Sequence, residues 1–208
     1  MPVLELPDGT LALECAKVIG LAGLERLAPL EASSRGFGEL VAAGADAPRR
    51  GIGLGGSATV DGGRDWPPLH LPPTRVFCDV RTGLADAARV FGPQKGARPE
   101  ELPLLEARLR GLGLPEGPHT GAAGGLGARL CALGAELVDG AGTMLEVCGF
   151  VRACTGCGAV LTGEGRLDAS TLEGKLPAVV AARARELGLP VLGRFGCRGE
   201  GWERAAAL

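Results

Sequence analysis

Apolar positions fall into short runs separated by glycine- and proline-rich stretches, and their spacing predicts alternating helices and strands. Asp8 is a candidate N-cap, and Leu11, Leu13, Ala16 and Val18 after it predict a helix over Asp8–Gly20. A second short helix is expected over Phe37–Ala43. Gly51-Ile52-Gly53-Leu54 reads as the end of a buried strand opening into a loop. Trp66–Pro73 carries four prolines and is expected to be irregular or extended.

Arg75–Val80 is a strand candidate. Pro99–Leu112 is an amphipathic helix candidate, with Pro103 tolerable in its first turn. Gly124–Leu133 reads as a helix entered through a glycine loop. Gly158–Thr162 reads as a strand, Pro177–Leu187 as a helix, and Pro190–Leu192 as the start of another strand. Strands alternating with helices predict an α/β fold with a mostly parallel sheet.

Composition narrows the function classes. Of 208 residues, 46% are hydrophobic, which suits a buried core, and only 3% are aromatic, which argues against stacking platforms for single-stranded nucleic acid. A net charge of −2 gives no broad attraction to polyanions. No apolar run approaches the ~20 residues of a membrane helix. The opening residues do not read as a signal peptide, so a cytoplasmic protein is expected. Seven cysteines, an odd number scattered through apolar segments, fit free thiols better than a disulfide framework.

Four blocks carry candidate chemistry. Gly53–Gly63 offers small residues for backbone approach to an oxyanion. Ser57 and Thr59 add hydroxyls, and Asp61 is a candidate for Mg²⁺ or a substrate hydroxyl. Alone, its glycines fit a tight turn better than a phosphate loop, and neither the P-loop nor the dinucleotide-binding spacing is present. Phe91–Ala97 displays Lys95 between two glycines, in a turn not expected to be helical before Pro93, as a point charge for phosphate or as a solvated surface lysine. Gly121–Gly127 places glycines at a helix start, for an anion or for close packing.

Leu161–Lys175 is the densest block. A strand is expected to deliver Thr162 to a charged loop, where Arg166 suits a carboxylate and Glu164 or Asp168 a metal or a hydroxyl proton. A charged surface loop explains the same residues equally well. Cys154-Thr155-Gly156-Cys157, with Cys148 upstream, lacks the further ligands a zinc site needs, and His70 and His119 are isolated.

In this order the blocks resemble the bacterial type I glycerate kinase family. Gly55–Gly63 meets the family's Gly-Gly-Ser-Ala-Thr-Asn-Asp-Gly-Gly except at Val60. Val90–Ala97 and Gly121–Gly127 match in full. Gly163–Lys175 matches Gly-Glu-Gly-Arg-x-Asp-x-Gln-Thr-x-x-Gly-Lys with Ser170 in place of Gln, and Cys78-Asp79-Val80, Gly36, Gly38 and Glu39 also fit. The resemblance implies a three-layer α/β architecture of two domains with the active site in the cleft between them. It implies ATP- and Mg²⁺-dependent phosphorylation of glycerate at the 2-hydroxyl.

Carried onto these positions, Asp61, Asp168 and Lys95 are expected to be catalytic, with Asp61 and Asp168 as Mg²⁺ ligands. Gly55, Gly56, Ser57, Thr59, Gly124, Gly125 and Lys175 would bind nucleotide phosphates, and Arg166 and Glu164 the substrate. Glycerate and ATP are the expected partners, with no nucleic acid or membrane, and with a homodimer or a complementing chain open.

The chain also departs from the family. It lacks the opening Asp-Ser-Phe-Lys and the Ala-Asp-Gly-Gly-Glu-Gly block, is short between Gly63 and Arg75, and stops soon after the Pro190 strand. Arg35 and Phe37 replace the Tyr and Thr of a Ser-Tyr-Gly-Thr-Gly motif. An incomplete version of the architecture is expected, as one domain over 1–208 with possible sub-regions 1–118 and 119–208. A non-catalytic remnant or one half of a split kinase is the alternative function.

Overall fold

The computed structural model describes residues 3–6, 9–44 and 46–207, with the side chains of Ser170 and Glu173 excepted. The chain divides into two compact units, which meet between Val138 and Asp139. That division lies beyond the 118/119 boundary expected from sequence, because the helix over 122–132 packs into the first unit's core.

In the first unit, β1 (Val3–Glu5) pairs antiparallel with β2 (Thr10–Glu14), and β2, β3 (Arg49–Gly53) and β4 (Thr74–Cys78) run parallel. β5 (Glu136–Asp139) completes the order β1-β2-β3-β4-β5. Register stacks Leu13 beside Ile52, and Ile52 beside Val76. The helix expected over Asp8–Gly20 is therefore a strand followed by the short α1 (Ala16–Ile19). Leu11, Leu13 and Cys15 repeat every second residue, a strand period, and the last two are buried. The Asp8 cap lies outside the described residues.

α2 (Arg35–Ala43) and α5 (Ala122–Ala132) bury Phe37, Val41, Leu126 and Leu130 with Ile52 and Val76 in one core. Each such side chain contributes about 1.5–3 kcal/mol. α3 (Leu84–Phe91) and α4 (Leu102–Arg110) form a second core with Val60 and Ala128. Pro103 lies in the first turn of α4, as expected. Buried Arg50 donates to the Gly44 carbonyl at the end of α2, where a cation offsets the helix dipole.

The second unit opens with α6 (Gly140–Val147), whose Asp139 cap accepts from the Gly142 amide at 2.9 Å, and with α7 (Phe150–Ala153). β6 (Val160–Leu167) and β7 (Val191–Arg198) form a parallel pair. α8 (Leu176–Glu186) covers one face through Val180 and Ala184, and α9 (Trp202–Ala206) ends the unit. β6 is longer than the expected Gly158–Thr162, so Glu164 and Arg166 lie on a strand and not in a loop. Gly163 makes that extension possible, because a Cβ there would lie 1.9 Å from the Arg194 carbonyl oxygen. Both units are mostly parallel α/β structure, as the alternation of elements indicates. Among the described residues no helix is long and apolar enough to cross a membrane.

Candidate functional site

Ligands bind α/β sheets outside the carboxyl ends of the strands. In the first unit β2 ends there just before Cys15, β3 runs into Gly53–Gly63, and β4 ends before the exposed Asp79. Gly55 and Gly56 are exposed, whereas Ser57 through Gly63 are buried. The loop is fastened from below: Leu21 N–H donates to Gly56 O at 2.8 Å, Ala58 N–H to Ile19 O at 2.7 Å, and the Cys15 thiol to Gly55 O at 3.3 Å.

Lys95 comes from a separate element, a 3-10 turn over Pro93–Lys95 that follows α3. Gly92 before Pro93 has helical dihedrals, against the expectation, because it has no Cβ to clash with the proline ring. This turn carries the Lys95 side chain into the core, where only 3% of the residue is exposed. Its ammonium donates to Ser57 Oγ at 2.9 Å and to the Thr59 carbonyl at 2.8 Å. Among the described residues no carboxylate pairs with it. Burial pushes the amine down to about 8, against the weaker opposing pull of Cys15 and Asp61. Beside it Thr59, 1% exposed, holds a hydroxyl with no hydrogen-bond partner among the described residues.

Gly121–Gly127 locks onto this loop. Gly124 has φ +68°, and a Cβ on it would lie 2.1 Å from the Thr59 carbonyl oxygen; Gly62 N–H donates to Gly124 O at 3.1 Å. The amides of Gly124 and Gly125 both donate to Gly121 O, at 3.1 and 3.2 Å. The two glycine blocks thus meet backbone to backbone, with these two amides already committed.

Asp61 is 1% exposed and faces α2. Its Oδ2 accepts from Ser34 N–H at 2.7 Å and from Ser34 Oγ at 3.0 Å, and its Oδ1 from Gly63 N–H at 3.4 Å. Ser34 Oγ in turn accepts from the Trp66 indole at 2.8 Å, and Trp66 packs edge-on against Phe37. Three protein donors thus already meet this carboxylate. Ser34 escaped the sequence reading because nothing in its spacing from Asp61 signals the pair. The signal available was the Ser that opens the Ser-Arg-Gly-Phe-Gly segment.

The fourth block lies in the second unit. Glu164 Oε1 accepts from Thr171 Oγ1 at 2.6 Å, and the Asp168 amide donates to the same hydroxyl at 3.3 Å. Asp168 faces Arg166 at 3.2 Å and Lys175 at 3.9 Å. Glu164, Arg166, Asp168 and Lys175 therefore form one cluster around buried Thr171, where β6 gives way to a 3-10 turn over Ala169–Glu173. All seven cysteines are free thiols, and among the described residues no three His, Cys, Asp or Glu side chains form a metal-holding group.

Residues 3–65 and 69–207 match the glycerate kinase family. The chain belongs to the glycerate kinase family. It is 38% identical to an uncharacterized protein of Mycobacterium bovis, over 89% of this chain and 56% of that one. Identity to the glycerate 2-kinase of Escherichia coli K12 is 33%, over 91% of this chain and 64% of the relative. A crystal structure of a Salmonella typhimurium LT2 protein described as a glycerate kinase 2 superposes with a TM-score of 0.68 at 29% identity, covering 92% of this chain and 68% of that chain. The chain thus spans little more than half the length of the Mycobacterium relative.

Proposed function

We propose that this glycerate kinase-family chain transfers the γ-phosphoryl group of ATP to the 2-hydroxyl of glycerate. The carrying observation is the buried Lys95 ammonium beside the Thr59 hydroxyl, the first without a carboxylate and the second without a partner among the described residues, under an exposed Gly55–Gly56 turn. An uncompensated buried cation and an idle donor suit an anion, and phosphoryl transfer depends chiefly on positioning and charge neutralisation.

On this reading Gly55, Gly56, Ser57, Thr59 and Lys95 hold phosphate oxygens. Gly124 and Gly125 shape the loop by close packing, and Asp61 fixes it to α2. Exposed Asp79, at the end of β4, takes over the carboxylate role expected of Asp61 at this edge. In the second unit, Arg166, Glu164, Asp168 and Lys175 form a charged cluster of its own, suited to a carboxylate and to Mg²⁺. The test is ADP release by the purified chain with either glycerate enantiomer, with the product identified by phosphorus NMR. ADP release no faster with glycerate than without it overturns the proposal.

One observation favours a second reading, in which another polypeptide completes the enzyme. Leu161 and Leu192, register partners on β6 and β7, are 71% and 60% exposed, although parallel sheets are ordinarily covered on both faces. Turnover restored only by adding a polypeptide that carries the uncovered part of the family's length would favour this reading over the first.

A further inference from the structure

A cavity of about 400 Å³ lies in the first unit beside the far end of the glycine-rich loop. Arg64, Trp66, Pro67, Leu69, His70 and Arg129 are among its lining residues, and none of the lining residues is acidic. It is an open groove that combines an apolar wall with a few polar groups, the mix of side chains that small-molecule sites use. The match to the family is interrupted at 66–68, and this wall is built there.

The cations are arranged, not merely present. Arg129 packs its stem under Gly63, where a Cβ would lie 3.0 Å from Arg129 Cγ, and its Nε donates to Gly62 O at 3.2 Å. Its terminal guanidinium nitrogens have no acceptor among the described residues. Arg64 is half-exposed and, among the described residues, pairs with its sequence neighbour Asp65 at 3.0 Å. Trp66 lines the cavity and is fixed in place, by Ser34 at its indole nitrogen and by packing against Gly38 and Phe37.

We infer that this cavity binds a small organic anion, a carboxylate or phosphate carried on a flat apolar body. The anionic group would be taken by Arg129 and Arg64, and the body would lie on Trp66 and the adjacent prolines. Planar guanidinium groups match such anions in a bidentate manner, and a fixed aromatic ring gives the body a surface without a large ordering cost. The site is separate from the phosphate loop proposed above and does not depend on that reading.

The test reads binding without nucleotide or turnover. The chain has two tryptophans and no tyrosine, so in a Trp202→Phe background Trp66 is the sole strong emitter. Benzoate, inorganic phosphate and benzyl alcohol are the probes. Saturable change in Trp66 emission is expected with benzoate, with phosphate and benzyl alcohol each about tenfold weaker or more. Arg64→Gln should weaken benzoate about tenfold, the loss expected for a charged hydrogen bond. Arg129→Lys keeps the charge but loses the fork, and should also weaken it.

Benzyl alcohol binding as well as benzoate would make the cavity a plain apolar groove and overturn the inference. Phosphate binding as well as benzoate would overturn the organic part. Wild-type affinity in Arg64→Gln, with a cooperative melt confirming its fold, would remove the charge argument. No saturable change with any probe would leave the groove to a protein partner and overturn the proposal.

Discussion

The Lys95 ammonium stands 2.9 Å from the Ser57 hydroxyl, joining the turn after α3 to the loop after β3. Because no carboxylate among the described residues pairs with the buried cation, its desolvation cost is set against two hydrogen bonds and the weaker pull of Cys15 and Asp61. Lys95→Met keeps the length and removes the charge. Two acceptors lose their donor at about 1–3 kcal/mol each, while relief of a shift from 10.5 to about 8 returns roughly 3 kcal/mol. The melting temperature should therefore move little, whereas affinity for an ATP analogue should fall about tenfold or more. Unchanged affinity in calorimetric titration would remove Lys95 from the anion site.

The same residue gives a pH signature of fixed sign. Its folded pKa, about 8, lies below the unfolded value, so the unfolded chain holds the proton longer. Stability should rise as pH climbs from about 8, by up to about 1.4 kcal/mol per unit. Cys15 acts oppositely: burial lifts its thiol from 9.0 to about 11, so its contribution falls as pH climbs through that interval. A gain is expected between about pH 8 and pH 9, flattening above. Urea midpoints across this range should show it in the wild type and not in Lys95→Met, while phosphate affinity falls as the ammonium loses its proton.

Much of this site was legible as residue types and little as geometry. The order of the glycine blocks identified the family, and the alternation of elements gave the α/β class, because both are carried by local patterns. Leu11 and Leu13 were misread because five residues are too few to separate a period of 2 from one of 3.6 when a helix follows at once. Lys95 reads from sequence as a solvated lysine or as a phosphate contact. Its burial depends on a turn from one element folding under a loop from another. Asp61 shows the same limit: its partner Ser34 lies on another segment, so spacing cannot reveal that the carboxylate is already engaged.

Gly124 and Gly56 separate two costs that sequence treats alike. Both have φ near +67°, and alanine there costs about 1–2 kcal/mol in backbone strain. At Gly56 the nearest atom to a new Cβ is Ala16 Cβ at 3.4 Å, so strain is the main cost. At Gly124 the new atom meets the Thr59 carbonyl oxygen at 2.1 Å, which only separation of the two glycine blocks relieves. Gly56→Ala should fold with a modestly lowered urea midpoint, and Gly124→Ala should lose more than twice as much stability or fail to fold. Equal losses would mean that the blocks are not interlocked.

The Ser34–Asp61 pair makes the last prediction. Ser34 Oγ donates to Asp61 Oδ2 and accepts from the Trp66 indole, so one hydroxyl links the loop to α2 and to Trp66. Ser34→Ala leaves the buried carboxylate its two backbone donors but strands the indole N–H, for about 1–3 kcal/mol. Asp61→Asn keeps one carbonyl oxygen but loses the charge that strengthens both Ser34 bonds, and its NH₂ group, in place of the second oxygen, cannot accept. It should destabilise at least as much as Ser34→Ala. Both variants should shift Trp66 emission in the Trp202→Phe background, Ser34→Ala by removing the acceptor and Asp61→Asn by releasing Ser34. If Asp61→Asn destabilises while Trp66 emission stays unchanged, the relay through Ser34 is wrong, and Asp61 acts on the loop through Gly63 alone.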